Sequence, residues 1–268
     1  MNMDKDYLLT AIRAALIGGS EIMKVYDDPK SDFEIERKAD NSPLTIADRR
    51  SHAVIADMLA GTPFPVLSEE GRMIPYAERR EWKELWVVDP LDGTKEFIKR
   101  NGEFTVNIAY VHEGVPEAGV IYVPVKRVLY FADFEIGAYR TEALDDVSSL
   151  EGLIRNSEKL PLGLEKDVFT VVASRSHLNE ETSRFIHKIE QEHGEVDVVS
   201  KGSSLKLCLV AEGLADVYPR FAPTMEWDTA AGHAIVRAAG KEVYDASAGC
   251  GVLRYNKEDL HNSWFIVR

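Results

Sequence analysis

The residues of this chain best suited to chemistry lie in one short segment, Asp89-Pro90-Leu91-Asp92-Gly93-Thr94. It supplies two carboxylates, main-chain carbonyls and a hydroxyl. These are the oxygen ligands that Mg²⁺ prefers, and Mg²⁺ commonly joins one or two carboxylates to a substrate phosphate. The same residue types also make an ordinary strand-to-helix turn, so that reading stays open for the segment taken alone. The segment predicts metal-assisted phosphate chemistry, provided that further acids lie near it.

Acidic residues follow two predicted strands. Residues 85–88 predict a buried strand, which should stop at Asp89 because Pro90 lacks the N–H that a strand ladder needs. A second short apolar run also ends in acids, Glu69 and Glu70. The two strand ends therefore supply candidate metal ligands from separate parts of the chain.

The turn after Asp89 is predicted to gather its polar groups around one point. Gly93 permits a positive φ, and Thr94 is a suitable N-cap for a short helix over residues 95–100. In such a turn the carbonyl of Leu91 has no obvious main-chain partner, so a cation would satisfy it.

Two more acids lie near predicted helix starts. Asp228 begins an apolar helical segment and reads most simply as its N-cap, although a helix N-terminus also attracts phosphate. Thr45 and Asp48 have the spacing of a capping box for a helix that ends near Leu59. Both acids thus have a structural interpretation beside the functional one.

Composition restricts the classes of partner. The chain has 268 residues, of which 45% are hydrophobic and 29% charged, so it can bury one large core or two merged smaller ones. Its net charge of -13 argues against a nucleic-acid surface, because binding a polyphosphate requires clustered Lys and Arg. A small anionic substrate is compatible with this charge, since bound metal ions reverse the local field.

The cysteines and the apolar runs predict a cytoplasmic location. Cys208 and Cys250 form no CxxC motif, so we expect free thiols in a reducing compartment. Residues 1–6 show no basic region leading into an apolar core, so no secretory signal is expected. The apolar runs are too short for an integral membrane segment. Peripheral attachment to the inner membrane stays open.

Periodicity predicts a mixed helical and stranded chain in two parts. Two amphipathic helices come first, followed by an antiparallel meander of strands at 105–111, 120–123 and 128–131. Residues 145–159 are predicted to form loops. The predicted strands 169–173 and 196–199 then alternate with helices at 180–191, 203–212 and 229–239. We therefore expect an N-terminal α+β domain over 1–145, carrying most metal ligands, and a C-terminal α/β domain over 146–268 that completes the site.

Two motifs together resemble a known superfamily. The segment 89–94 and Trp-Asp-Thr-Ala-Ala-Gly at 227–232 are similar to the signatures of the lithium-sensitive, Mg²⁺-dependent phosphatases that include inositol monophosphatase. Within this group the closer likeness is to bacterial 3'(2'),5'-bisphosphate nucleotidases, and it is carried by the segments 67–70, 92–97, 172–177, 202–206 and 216–220. The resemblance implies an α+β fold, a layered αβαβα sandwich with metals between its halves.

The resemblance also assigns a role to each acid. The positions that match the family's metal ligands are Glu69, Asp89, the Leu91 carbonyl, Asp92 and Asp228, with Asp89 bridging two Mg²⁺ ions. Asp48 and Thr94 match groups that hold the attacking water, and Asp48 or Glu69 would accept its proton. The chain offers no convincing nucleophile–His pair, so we expect direct attack by water.

The substrate site is expected to combine these residues with cationic ones. The positions that match substrate-binding residues of the family are Glu69, Leu91, Asp92, Gly93, Thr94, Ser174, His177, Ser203, Lys206, Arg220 and Asp228. From spacing alone, Lys206 also fits the solvated edge of a helix, Arg220 a surface ion pair and His177 a turn before a helix. The role of Lys95 stays open.

The resemblance implies hydrolysis of the 3'-phosphate of adenosine 3',5'-bisphosphate to AMP, which recycles a by-product of sulfate assimilation. It further implies two or more Mg²⁺ ions, inhibition by Li⁺, a small nucleotide as the partner and a monomer or weak dimer. The alternatives are an inositol monophosphatase or another sugar phosphatase, and a non-catalytic sensor of nucleotide or phosphate. A structural calcium-binding protein is disfavoured, because the acids form no EF-hand loop.

Overall fold

The computed structural model describes residues 5–31, 33–37, 43–144, 147–173, 179–247 and 251–268. Its helices are α1 (Lys5–Tyr26), α2 (Ile46–Leu59), α3 (Tyr76–Arg79), α4 (Thr94–Ile98), α5 (Leu150–Arg155), α6 (Glu180–His193), α7 (Leu205–Glu212) and α8 (Glu226–Ala238). Its strands are β1 (Glu36–Arg37), β2 (Pro43–Leu44), β3 (Val66–Ser68), β4 (Glu84–Asp92), β5 (Thr105–His112), β6 (Val115–Val123), β7 (Val128–Asp133), β8 (Gly137–Thr141), β9 (Glu158–Lys159), β10 (Phe169–Ala173), β11 (Val196–Ser200), β12 (Tyr218–Arg220), β13 (Val243–Asp245) and β14 (Phe265–Val267).

A seven-stranded sheet with the order β3-β4-β5-β6-β7-β8-β9 separates two apolar layers. Strands β3 and β4 run parallel, and every later neighbour in this sheet is antiparallel. The predicted meander is therefore confirmed in β5, β6 and β7. Side chains alternate between the two faces, as the pleat of a strand requires. On β4, for example, Trp86 and Val88 face one layer while Leu85 and Val87 face the other.

Helices α1 and α2 cover the first face of this sheet. They pack against each other and against β4 to β6. Ile12 of α1 and Ile55 of α2 are fully buried in the same apolar cluster as Trp86. The two predicted N-terminal helices are thereby confirmed.

Helices α7 and α8 cover the second face, and α8 approaches the sheet unusually closely. A Cβ added to Gly119 of β6 would lie 2.3 Å from the carbonyl oxygen of Ala231 in α8. No side chain fits at that distance, so a glycine is required there. This contact allows α8, whose first turn carries Asp228, to pack directly against the main sheet.

Two smaller sheets form the fourth layer. Parallel strands β10 and β11 pair with each other, and β14 lies between β12 and β13. A bridge between Val171 and Val217 joins the two groups. Helix α6 packs on their outer side, around Val171, Ile189 and Val217. The order of layers is therefore helix, sheet, helix, sheet, helix, which confirms the expected αβαβα sandwich.

Several element boundaries differ from the predictions. Strand β4 does not end at Asp89: its ladder with β5 is irregular around Pro90 and resumes where Asp92 faces Thr105. Residues 145–159 are not only loops, because α5 and β9 lie within them and β9 pairs with β8. Both elements are short, and although Leu150 and Leu153 of α5 are buried, a helix of 6 residues is too brief to establish an apolar period. Since β9 belongs to the main sheet, the core extends past residue 145, and the division into 1–145 and 146–268 stays a prediction.

Among the helices of the described ranges, none combines the length and the apolar character needed to cross a bilayer. Cys208 is a free, buried thiol, and Cys250 lies outside the described residues.

We expect Gly119→Ala to destabilise the protein by about 1–3 kcal/mol, because the added methyl group overpacks the contact between β6 and α8. Urea unfolding followed by circular dichroism measures the change. Gly61→Ala is the matched control, since its added Cβ would meet only the carbonyl of Met58 at 3.4 Å. Equal stability of the two variants would contradict the proposed tight contact.

Candidate active site

Acidic side chains converge at the carboxyl ends of β3 and β4. The two strands are parallel neighbours, with Ser68 opposite Val88, so the residues that follow them lie side by side. The N–H of Glu69 continues the ladder by donating to the Val88 carbonyl at 3.1 Å. Glu69 is thereby brought against Asp89, and the two side chains share a hydrogen bond. The ends of two strands thus supply the first pair of acids.

Asp228 completes the cluster from the other side of the molecule. One carboxylate oxygen from each of Asp89, Asp92 and Asp228 lies within 4.8 Å of the others. Asp89 is buried, whereas Asp92 and Asp228 are half-buried. Three buried or half-buried carboxylates at this spacing fit the oxygen-ligand chemistry of a hard divalent cation.

The turn between Asp89 and Thr94 holds its own geometry. The N–H of Leu91 donates to Asp89 Oδ1 at 3.0 Å, and Gly93 adopts a φ of 92°. Helix α4 begins at Thr94, so Gly93 rather than Thr94 is the N-cap, and the predicted capping role of Thr94 is wrong. The Thr94 hydroxyl instead lies 3.4 Å from the Leu91 carbonyl oxygen.

Thr94 forms a pair with Asp48, as the candidate water site requires. Its hydroxyl donates to Asp48 Oδ1 at 3.1 Å, and Asp48 is almost fully buried. The other oxygen of Asp48 accepts the N–H of Thr45 at 2.8 Å, which confirms the predicted capping box. Asp48 can therefore cap α2 and hold Thr94 at the same time, because a different carboxylate oxygen makes each contact.

Asp228 is not the N-cap that the sequence predicts. Helix α8 starts at Glu226, and the Asp228 side chain reaches back to accept the N–H of Met225 at 2.8 Å. The carboxylate therefore lies in the first turn, where the helix dipole favours negative charge.

Two polar residues that sequence reasoning missed hold Asp92. Ser204 Oγ lies 2.8 Å from Asp92 Oδ2 and 2.9 Å from the Asp228 carbonyl oxygen, so it connects the two halves of the site. Asn107 Nδ2 donates to Ser204 Oγ at 2.9 Å and lies 3.4 Å from Asp92 Oδ2. The sequence does contain a signal for Asn107, because an asparagine within the apolar strand β5 indicates a buried polar group that needs hydrogen-bond partners.

Burial and the proximity of other acids raise the pKa values of Asp89 and Asp228. Burial raises the pKa of Asp89 well above its usual range, and the charges of Glu69, Asp92 and Asp228 add to this. For the same two reasons, burial first and Asp92 second, the pKa of Asp228 rises to about 8. A cation bound among these side chains would favour the ionised forms of Asp89 and Asp228.

A cavity of about 400 Å³ extends from Asp92 and Asp228 towards cationic side chains. Its wall includes Ser203, Lys206 and Arg220, so the structure brings these predicted substrate residues together with the acids. Ser203 adopts a φ of 40°, which is uncommon for a residue other than glycine.

Lys206 is a buried cation rather than the solvated edge of a helix. Its Nζ donates to the Ser203 carbonyl at 2.6 Å and lies 5.6 Å from the centre of the Tyr218 ring. Burial lowers the pKa of Lys206 to about 8, although nearby Asp92 opposes this effect. Arg220 is half-buried, donates to the Pro223 carbonyl at 3.2 Å, and has a buried Nε without a partner among the described residues.

Three further cations line the cavity. From the sequence, the role of Lys95 stayed open, and Lys99 and Lys201 were not identified as site residues. Lys95, Lys99 and Lys201 line the cavity, and Lys201 lies 3.3 Å from Glu103. The predicted substrate residues Ser174 and His177 lie outside the described residues.

Comparisons with known proteins agree with this geometry. The model of the inositol monophosphatase family matches residues 4–265. The 3'(2'),5'-bisphosphate nucleotidase CysQ of Salmonella typhimurium is 48% identical over 229 residues, which are 85% of this chain and 85% of that protein. The crystal structure of CysQ from Bacteroides thetaiotaomicron is 61% identical, with a TM-score of 0.91 over 98% of this chain and 97% of that one.

A more distant structure shares only the fold. The extragenic suppressor protein suhB of Bartonella henselae is 23% identical, with a TM-score of 0.71 over 97% of this chain and 93% of that chain.

We expect Mg²⁺ binding to release protons and to tighten as the pH rises from 6 to 9. The folded pKa values of Asp89 and Asp228 both lie above their unfolded values, and that of Asp228 is about 8, so ionisation of Asp228 destabilises the metal-free protein as the pH rises from about 4 towards about 8. Each proton displaced makes the affinity up to about tenfold higher per pH unit. Calorimetry at pH 7 in two buffers of different ionisation enthalpy measures the release.

Asp228→Asn is the control for this titration, because it removes one of the two groups and should release fewer protons. Mg²⁺ binding by the unaltered protein with no proton release would contradict the raised pKa values.

Proposed function

The chain belongs to the inositol monophosphatase family, and from that premise we propose that it is a 3'(2'),5'-bisphosphate nucleotidase that converts adenosine 3',5'-bisphosphate to AMP and phosphate. The observation that carries this proposal is the single cavity that joins the acids Asp92 and Asp228 to the cations Lys206 and Arg220. The nucleotidases that resemble this chain at 48% identity support the same activity.

We assign Mg²⁺ binding to Glu69, Asp89, the Leu91 carbonyl, Asp92 and Asp228. When bound, Mg²⁺ would neutralise phosphate oxygens, activate water and stabilise the leaving alkoxide. The residues fit this role, because the buried carboxylates repel one another until a cation offsets their charge.

The attacking water is assigned to the pair of Thr94 and Asp48. The Thr94 hydroxyl donates its hydrogen to Asp48 at 3.1 Å, so its oxygen would accept a hydrogen bond from the water and orient it for in-line attack on phosphorus. Asp48 or Glu69 would accept the proton of the water. The bond between phosphorus and the ribose 3'-oxygen breaks, and that oxygen takes a proton from solvent.

The second phosphate of the substrate would account for the cations that line the same cavity as the acids. A nucleotide with phosphates at 3' and 5' carries about four negative charges near neutral pH, because each phosphate monoester has a second pKa near 6. We assign Lys206 and Arg220 to the phosphate that is not hydrolysed, whose charge they would compensate. Because binding a phosphate would favour the charged form of Lys206, the substrate would raise its pKa from about 8.

Inhibition by Li⁺, a cytoplasmic location and a monomeric or weakly dimeric state remain predictions.

Phosphate release from adenosine 3',5'-bisphosphate and from inositol 1-phosphate, measured in parallel with Mg²⁺ and with Mg²⁺ plus Li⁺, tests the function. We expect strong preference for the nucleotide. Preference for inositol phosphate would keep the metal chemistry and refute the substrate, and no release from either substrate would favour a non-catalytic sensor.

We expect Asp89→Asn to lower kcat by about 10³-fold or more while the protein stays folded. Asp89 lies in the centre of the proposed metal site, and a metal ion contributes several kcal/mol to the stabilisation of the transition state. Steady-state kinetics and circular dichroism measure the two effects. The control is Glu84→Gln at the opposite end of the same strand, and activity retained by Asp89→Asn would refute the proposed ligand.

We expect Arg220→Gln to raise KM for adenosine 3',5'-bisphosphate by about 10–100-fold, because a hydrogen bond to a charged group contributes about 1.5–3 kcal/mol. Any hydrolysis of inositol 1-phosphate should stay unchanged. Arg155→Gln on the exposed end of α5 is the control for loss of a positive charge. Equal effects on both substrates would show that Arg220 does not select the nucleotide.

A further inference from the structure

A buried polar cluster holds the first turn of α8, and the mechanism above does not use it. At its centre is Glu226, the first residue of α8, which is fully buried. Glu226 Oε2 accepts the N–H of Asn256 at 2.6 Å, and Oε1 accepts the N–H of Lys257 at 3.0 Å and its Nζ at 2.5 Å. One buried carboxylate therefore ties the start of α8 to the loop that follows β13.

Asn256 connects that loop to the first half of the chain. Its amide nitrogen donates to the carbonyls of Arg79 at 2.8 Å and Trp82 at 3.3 Å. In return, Arg79 donates to Asn256 Oδ1 at 3.1 Å, to the Glu258 carbonyl at 2.8 Å and to the Lys257 carbonyl. Arg79 is almost fully buried, so these bonds are shielded from water.

The cluster bridges the two groups of metal ligands. Arg79 ends α3, which lies between Glu69 and β4, and Trp82 lies two positions before β4, which carries Asp89. Glu226 lies two positions before Asp228 in α8. The same hydrogen bonds therefore fix the position of α8, which carries Asp228, relative to the segments that carry Glu69 and Asp89.

Metal coordination is sensitive to such positioning. Mg²⁺ requires near-octahedral geometry at about 2.0–2.1 Å, so a small shift of Asp228 away from Asp92 would weaken its binding. Residues that orient metal ligands typically affect metal affinity or activity by about 10–100-fold.

We propose that Arg79, Asn256 and Glu226 are positioning residues that set the distance of Asp228 from the acids of β4 and thereby the affinity for metal. This inference rests on the proposed function, because it concerns the metal site assigned above. It gives a metal-binding role to side chains that touch neither metal nor substrate.

The test is Mn²⁺ binding by the full chain, followed by the loss of the free-ion electron paramagnetic resonance signal. Asn256→Gly is the main variant, because Asn256 has a φ of 61°, which glycine tolerates, so the change removes the amide and keeps the backbone. We expect its Mn²⁺ dissociation constant to rise about 10–100-fold. The concentration of Mg²⁺ needed for half-maximal activity should rise in parallel, with kcat at saturating Mg²⁺ near that of the unaltered protein.

Variants of Ile12 control for general loss of stability. Ile12 is fully buried in α1, on the opposite face of the main sheet from α8. Ile12→Val should lower the free energy of unfolding slightly and Ile12→Ala more strongly, so one of them can be matched to Asn256→Gly in stability. An Ile12 variant with the same melting temperature as Asn256→Gly should bind Mn²⁺ like the unaltered protein. Equal weakening in that variant would overturn the proposal, because it would show a general loosening of the fold.

An unchanged dissociation constant in Asn256→Gly would also overturn it. If this variant does not fold, Glu226→Gln provides the same test, since it keeps the volume and replaces one acceptor oxygen by a donor. Failure of the unaltered protein to bind Mn²⁺ would refute the metal site and the proposed function with it. If the unaltered protein binds Mn²⁺ and the variants bind it equally well, only the positioning role is refuted.

Discussion

The structure depends on the repulsion among carboxylates that the fold forces together. Asp89 is buried against Glu69, Asp92 and Asp228, and its raised pKa shows that its charged form is disfavoured. Such a cluster works against folding, so the apolar layers on both faces of the main sheet must offset it. The arrangement becomes favourable only when positive charge enters. Electrostatic strain in the metal-free protein and affinity for a divalent cation are therefore two results of one arrangement.

The local parts of the site could be predicted from the sequence. Asp89 and Asp92 are close in the chain, and a buried strand followed by Pro90 and Gly93 restricts where their side chains go. The capping box of Thr45 and Asp48 depends on contacts within one helical turn, so spacing alone revealed it. The meander was predictable for a similar reason, since alternating residues and short turns specify antiparallel neighbours.

The remaining features depend on contacts between distant parts of the chain. Asn107 and Ser204 are separated by 97 positions, and no local pattern joins them. Thr94 looked like an N-cap because its side chain fits that role, but its bond to Asp48 could not be seen without the fold. Strand β9 was not predicted because only its pairing with the distant strand β8 defines it, and α5 was not predicted because its 6 residues are too few to establish an apolar period. The family resemblance supplied Lys206 and Arg220, for which spacing alone left a surface role open.

The position of β14 has a consequence for the order in which the protein is made. Strand β14 lies between β12 and β13, although both precede it in the chain. Arg220 faces Phe265 in this pairing, so the wall that carries the cation has no strand partner on that side until residue 265 has been synthesised. A nascent chain that has reached only α8 already contains every proposed metal ligand and still lacks this part of the pocket. Vectorial synthesis therefore places all the proposed metal ligands in the nascent chain before the strand that pairs with the segment carrying Arg220.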